Sequence, residues 1–107
     1  MPRQRLANKS VEVGEMILDL DKSCLKKRED EVHLTPKETK LMALLMKNVG
    51  KVVSRTELMQ EVWNTEYMGD TRTLDVHICW LRQKIEDNPR IPEVILTRRG
   101  QGYELRI

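Results

Sequence analysis

An α+β domain is the fold class that this 107-residue sequence predicts: three helices, an antiparallel sheet before them and a β-hairpin after them. Three observations carry the prediction. Short alternating apolar segments occupy residues 16–34 and are separated by turn-prone charged clusters. Two helix-opening patterns follow, Thr35-Pro36-Lys37-Glu38 and Ser54-Arg55-Thr56-Glu57. An amphipathic stretch from Arg72 to Lys84 then leads into a glycine-bearing turn between two β-prone runs.

In chain order, residues 1–10 (MPRQRLANKS) are basic, polar and without periodicity, and read as a flexible linker or tail; the domain is expected over 11–107. Met16–Asp21, Cys24–Arg28 and Glu31–Leu34 alternate at period two, which predicts an antiparallel meander. In the first helix Thr35 can cap, Pro36 suits the first helical position and Glu38 completes a capping box. Leu41, Leu44, Leu45 and Val49 continue its apolar face, and Gly50 is placed to end it. Ser54 and Glu57 repeat the same grammar for a second helix, with Leu58, Val62 and Trp63 apolar. Arg55 in its first turn opposes the helix dipole, so it reads either as a phosphate holder or as an ordinary surface arginine. The connection Trp63–Asp70 (WNTEYMGD) is long for a turn between two helices. Its Tyr67 and Met68 either face a partner or tuck back onto the core.

The third helix, expected at about 71–86, carries the most information. Leu74, Ile78, Leu81 and Ile85 recur at i, i+4, i+7 and i+11, one narrow buried stripe. The opposite face is centred on Val76 and Gln83, flanked by Arg72, Thr73, Cys79 and Trp80, with His77 and Lys84 nearer a border. That mixture suits nucleic acid: Val or Thr methyls can meet a thymine methyl, Gln can pair with adenine, and Arg or Lys can hold phosphate or guanine. An ordinary amphipathic helix with Trp80 packed on a neighbour fits the pattern equally well. His77 reads as a phosphate donor or as a packing residue, and His33 as structural. Asp75 and Arg82 share a flank and are expected to be structural, tied to each other or to nearby backbone.

Val94–Leu96 and Tyr103–Ile107 are β-prone, and Arg98-Arg99-Gly100-Gln101-Gly102 lies between them, its glycines permitting positive φ in a short connection. An arginine at such a tip can enter a minor groove; a solvated turn is the bland alternative.

With these residues in view, the chain resembles the C-terminal DNA-binding domain of OmpR/PhoB-type response regulators, a winged helix-turn-helix. The resemblance runs through Leu34–Glu38 (LTPKE), Val53–Leu58 (VSRTEL), Val62–Trp63, Arg72–Lys84 and Thr97–Tyr103, and covers about residues 12–107. It implies sequence-specific binding of duplex DNA by the effector domain of a two-component regulator, with the third helix in the major groove and the hairpin, about 97–103, at the minor groove. Arg72, Thr73, Val76, His77, Cys79, Trp80 and Gln83 then face the major groove. Arg55, Trp63 and Lys84 position the backbone. Arg99 is the minor-groove arginine, Arg98 offers a second phosphate contact, and Thr97, Gly100 and Tyr103 shape the hairpin. The loop Asn64, Thr65, Glu66, Tyr67, Met68 and Gly69 is expected to touch RNA polymerase, or to set the register of the third helix. A receiver domain holding the phosphoacceptor would precede residue 10, and two protomers would sit in tandem on a direct-repeat operator. Cys79-Trp80 departs from the adjacent basic pair of many relatives, which predicts a shallower salt dependence.

Composition supports no rival chemistry. The formal net charge is only +2, so the placement of cations matters more than their total. Cys24 and Cys79 stand alone without a CxxC, which fits reduced thiols in a cytoplasmic protein. Asp19-Leu20-Asp21 lacks the glycine and distal glutamate of a calcium loop, and no nucleophile elbow or phosphate loop occurs. No metal, cofactor, membrane contact or enzymatic activity is expected. The remaining alternative is a winged helix that binds protein.

Overall fold

The structure is a computed structural model that describes residues 10–64 and 72–106. Strands β1 (Ser10–Val13), β2 (Met16–Asp19), β3 (Cys24–Lys27) and β4 (Asp30–His33) form an antiparallel meander in chain order. The sequence reading has three of these strands. The fourth, β1, begins at Ser10, the last residue assigned to the linker, and pairs Ser10 with Asp19 and Val13 with Met16. Asp19, which the metal reading singled out, shapes the next turn: its carboxylate accepts from the backbone N–H groups of Asp21 and Lys22 at 3.0 Å each.

Helix α1 (Pro36–Lys47) opens on the expected capping box: the Glu38 N–H donates to Thr35 Oγ1 at 3.2 Å, and the Thr35 N–H donates to Glu38 Oε1 at 2.8 Å. Its C-cap is Asn48 and not Gly50. The Asn48 backbone N–H donates to Leu45 O and its side chain to Leu44 O, which satisfies the last carbonyls before Gly50 is reached. Strand β5 (Val52–Ser54), absent from the sequence reading, delivers Ser54 as N-cap of α2 (Arg55–Trp63). Helix α3 (Arg72–Ile85) follows, and then the hairpin of β6 (Ile95–Arg98) and β7 (Gly102–Leu105). In the second sheet β7 lies between β5 and β6, so the hairpin is hydrogen-bonded to the strand that launches α2. The hairpin turn is tighter than expected: Arg98 pairs with Gly102, and the Gln101 N–H closes it on Arg98 O at 2.9 Å.

Helix α1 is the centre of the core. Leu41, Met42, Leu45 and Met46 are buried between the meander, through Leu18 and Leu25, and the stripe of α3. With no Phe in the chain, flexible Met and branched aliphatic side chains fill this volume. Among the described residues no helix is long and apolar enough to cross a membrane.

Candidate nucleic-acid interface

Leu74, Ile78, Leu81 and Ile85 are all buried, which fixes the rotation of α3 and turns its other face outward. Arg72, Thr73, Val76, Cys79, Trp80 and Gln83 are exposed on it. Trp80 is 45% exposed and Val76 42%, so neither packs into the core. His77 is half-buried at the border, with ring centroids 4.9 Å from both Trp63 and Trp80. A carbonyl only accepts, so the 2.8 Å contact with Thr73 O makes His77 Nδ1 the donor. The Gln83 amide donates to Cys79 Sγ at 3.8 Å. The Lys37 ammonium donates to Val62 O and lies 5.9 Å over the Trp63 ring, where its charge favours the C-terminal end of α2.

The hairpin is fixed to α3 through three side-chain connections. Arg55 grips Asp75 with both terminal nitrogens, at 2.7 and 3.0 Å, and the Tyr103 hydroxyl of β7 donates to the same carboxylate at 2.6 Å. Arg82 donates to Ile95 O at 3.1 and 2.8 Å and to Thr97 Oγ1 at 2.8 Å. Glu86, just past α3 and buried, accepts from the backbone N–H groups of Glu93, Val94 and Ile95 at 2.8–3.1 Å. Asp75 and Arg82 are thus structural, tied to partners other than each other.

The Arg55 hydrogen bonds hold the Asp75 carboxyl below the ordinary carboxylate range; partial burial opposes this and the Tyr103 hydroxyl adds to it. Burial, with donation to Asp75, pushes the Tyr103 phenol up. An acid whose folded pKa lies below its unfolded value, about 3.9, stabilises the fold above that value and loses the contribution as pH falls through the depressed pKa. Asp75→Asn is therefore expected to be less stable than the parent chain at neutral pH, with the difference closing below about pH 4. Urea denaturation at both pH values checks this.

Of the cations the sequence points to, several are engaged within the chain. Besides Arg55 on Asp75, the Lys84 ammonium sits 2.6 Å from the buried Glu38 carboxylate, which ties α3 to the cap of α1. Arg98 pairs with Glu104 across the hairpin at 2.7 Å. Arg99 is exposed at the tip, and among the described residues none pairs with it. The adjoining Gly100, third in the Arg98–Gln101 turn, has φ +76, the conformation a type II turn requires there. Asn64 ends α2 in the left-handed region at φ 55, whereas Thr65, Glu66, Tyr67, Met68 and Gly69 lie outside the described residues.

Sequence reasoning missed Glu86. The one available signal was an acid at a helix C-terminus, where the dipole disfavours it unless backbone donors meet it.

The chain matches the family of transcriptional regulatory protein C-terminal domains over residues 29–105. It is similar to the DNA-binding domain of Klebsiella pneumoniae RstA, solved in complex with the RstA box, at 26% identity and a TM-score of 0.81, covering 92% of this chain and 97% of that one. It is similar to the DNA-binding domain of CpxR from E. coli at 31% identity and a TM-score of 0.77, covering 91% and 95%. Thermotoga maritima DrrB, a response regulator and OmpR/PhoB homologue, matches at 28% identity with a TM-score of 0.79 over 98% of this chain. The chain spans about half of DrrB, 48% of its length.

Proposed function

Because the chain belongs to the OmpR/PhoB-type family of transcriptional regulatory protein C-terminal domains, we propose that it reads specific sequences in double-stranded DNA as the effector domain of a two-component regulator. The observation that carries this reading is the joint geometry of α3 and the hairpin. The exposed face of α3 is unobstructed by the core, and Arg82, Glu86 and the Asp75–Tyr103 contact hold the hairpin at a fixed offset from it. Arg72, Thr73, Val76, His77, Cys79, Trp80 and Gln83 meet base edges and phosphates in the major groove, and Arg99 reaches the minor groove. Trp63, Thr97, Gly100 and Tyr103 support these elements. Arg55, Lys84 and Arg98 act mainly by holding α2, α3 and the hairpin in register, since each already faces a carboxylate.

Two protomers in tandem on half-sites about 10 bp apart, a receiver domain joined before residue 10, RNA polymerase at the loop 64–69 and a cytoplasmic setting complete the proposal. The family is one of transcription regulators and not of enzymes.

Two variants test the contact surface. Arg99→Ala is expected to weaken binding, reduce the preference for A·T-rich flanks and lower the slope of log affinity against log salt by about one. Gln83→Ala is expected to relax preference at one or two base pairs, costing about 1–3 kcal/mol there. Unchanged binding in both would refute the surface. Exposed Val76 and Trp80 would also suit a protein partner; salt-insensitive affinity without duplex preference would favour that second reading.

A further inference from the structure

We propose that Trp80 and Val76 act together as an apolar reader of thymine C5-methyl groups, so that the half-site places thymine under the middle of α3. This rests on the DNA-reading function proposed above and specifies what that face recognises. The two residues lie one turn apart, at i and i+4, and so present neighbouring side chains on one face. Both keep more than two-fifths of their surface exposed, whereas the aliphatic stripe Leu74, Ile78, Leu81 and Ile85 of the same helix is buried.

The surroundings of Trp80 favour a methyl. Guanine offers only acceptors in the major groove and calls for a cation. The cations of the second half of α3 are turned elsewhere, Arg82 onto Ile95 O and Thr97, Lys84 onto Glu38. Exposed beside Trp80 are the thiol of Cys79 and the amide of Gln83, a group that can pair with adenine, while Arg72 and Thr73 lie one turn before Val76, towards the start of the helix. The C5-methyl of thymine is the apolar group that an unmodified base pair displays in that groove.

The indole is also held in place before any ligand arrives. His77 lies 4.9 Å from Trp80 on one side and 4.9 Å from Trp63 on the other, and its Nδ1 is fixed on Thr73 O. A ring braced in this way has less conformational freedom to lose on binding, which lowers one cost of association.

The test uses the duplex recovered by selection from a randomised pool, with each thymine replaced in turn by deoxyuridine. That change removes the methyl and leaves base pairing intact. One or two positions are expected to lose roughly fourfold in affinity, the scale of one buried methyl. In Trp80→Ala and Val76→Ala the same positions are expected to show little or no penalty. Equal binding of the parent chain to every deoxyuridine duplex would overturn the inference, as would variants that keep the full penalty. Failure of the folded domain to select any duplex would instead overturn the DNA-reading function beneath it.

Discussion

Gly102→Ala is expected to lower the thermal midpoint by more than about 12 °C. A β-carbon at this position would lie 2.0 Å from Val53 O and 2.9 Å from Ser54 Cα, where β7 passes the strand that launches α2. The backbone there has φ +154, so the substitution adds conformational strain of about 1–3 kcal/mol to a collision that only separation of β5 and β7 relieves. Together these come to about 3 kcal/mol or more, and each kcal/mol moves the midpoint of a domain this size by about 4–8 °C. Gly100→Ala is the natural control. Its φ is +76 but nothing lies within 4 Å of the added carbon, so only strain is introduced, about 1 kcal/mol. Thermal melts of both variants followed by circular dichroism check the ranking. A Gly102→Ala midpoint no lower than that of Gly100→Ala would mean that β5 and β7 are not in close contact.

Glu86→Ala is expected to have the second large effect, on stability and on DNA binding together. The Glu86 carboxylate receives the backbone N–H groups of three successive residues at the entry to β6 and is itself buried. Alanine leaves those donors without an acceptor. A buried, unsatisfied group costs about 1–3 kcal/mol, so the loss should reach about 3 kcal/mol even if water reaches some of them. Glu86→Gln keeps one oxygen acceptor and should fall between the parent chain and the alanine variant. Because the same contact anchors the hairpin to α3, the minor-groove contact proposed for Arg99 should weaken at temperatures where the alanine variant is still folded. Urea denaturation and duplex titration of the three proteins separate the two effects. An alanine variant of unchanged stability would show that the carboxylate is not the anchor.

Much of this architecture was legible because local chemistry specifies it. The capping box at Thr35 and Glu38, the N-cap at Ser54 and the stripe Leu74–Ile78–Leu81–Ile85 are short-range patterns, and each occupies the place its pattern predicts. Strands β1 and β5 were not legible. Each is only three or four residues long, and each gains its hydrogen bonds from a partner, β2 in one case and β7, fifty residues away, in the other. Asn48 displaced Gly50 as the C-cap because its side-chain amide can close the helix directly, an advantage that glycine's backbone freedom alone does not reveal.

The exposed face of α3 followed from periodicity, but the engagement of its charges did not. Lys84 on Glu38 and Arg55 on Asp75 join residues 46 and 20 positions apart, and no spacing rule announces such pairs. The outcome is an exposed face around α3 that is less cationic than its arginine and lysine content suggests.

Selection from a randomised duplex pool at moderate salt, with the isolated domain at high concentration, decides whether this domain reads DNA sequence. Enrichment of a defined half-site, repeated in tandem about one helical turn apart, is expected. A folded domain that enriches no sequence at all would contradict it.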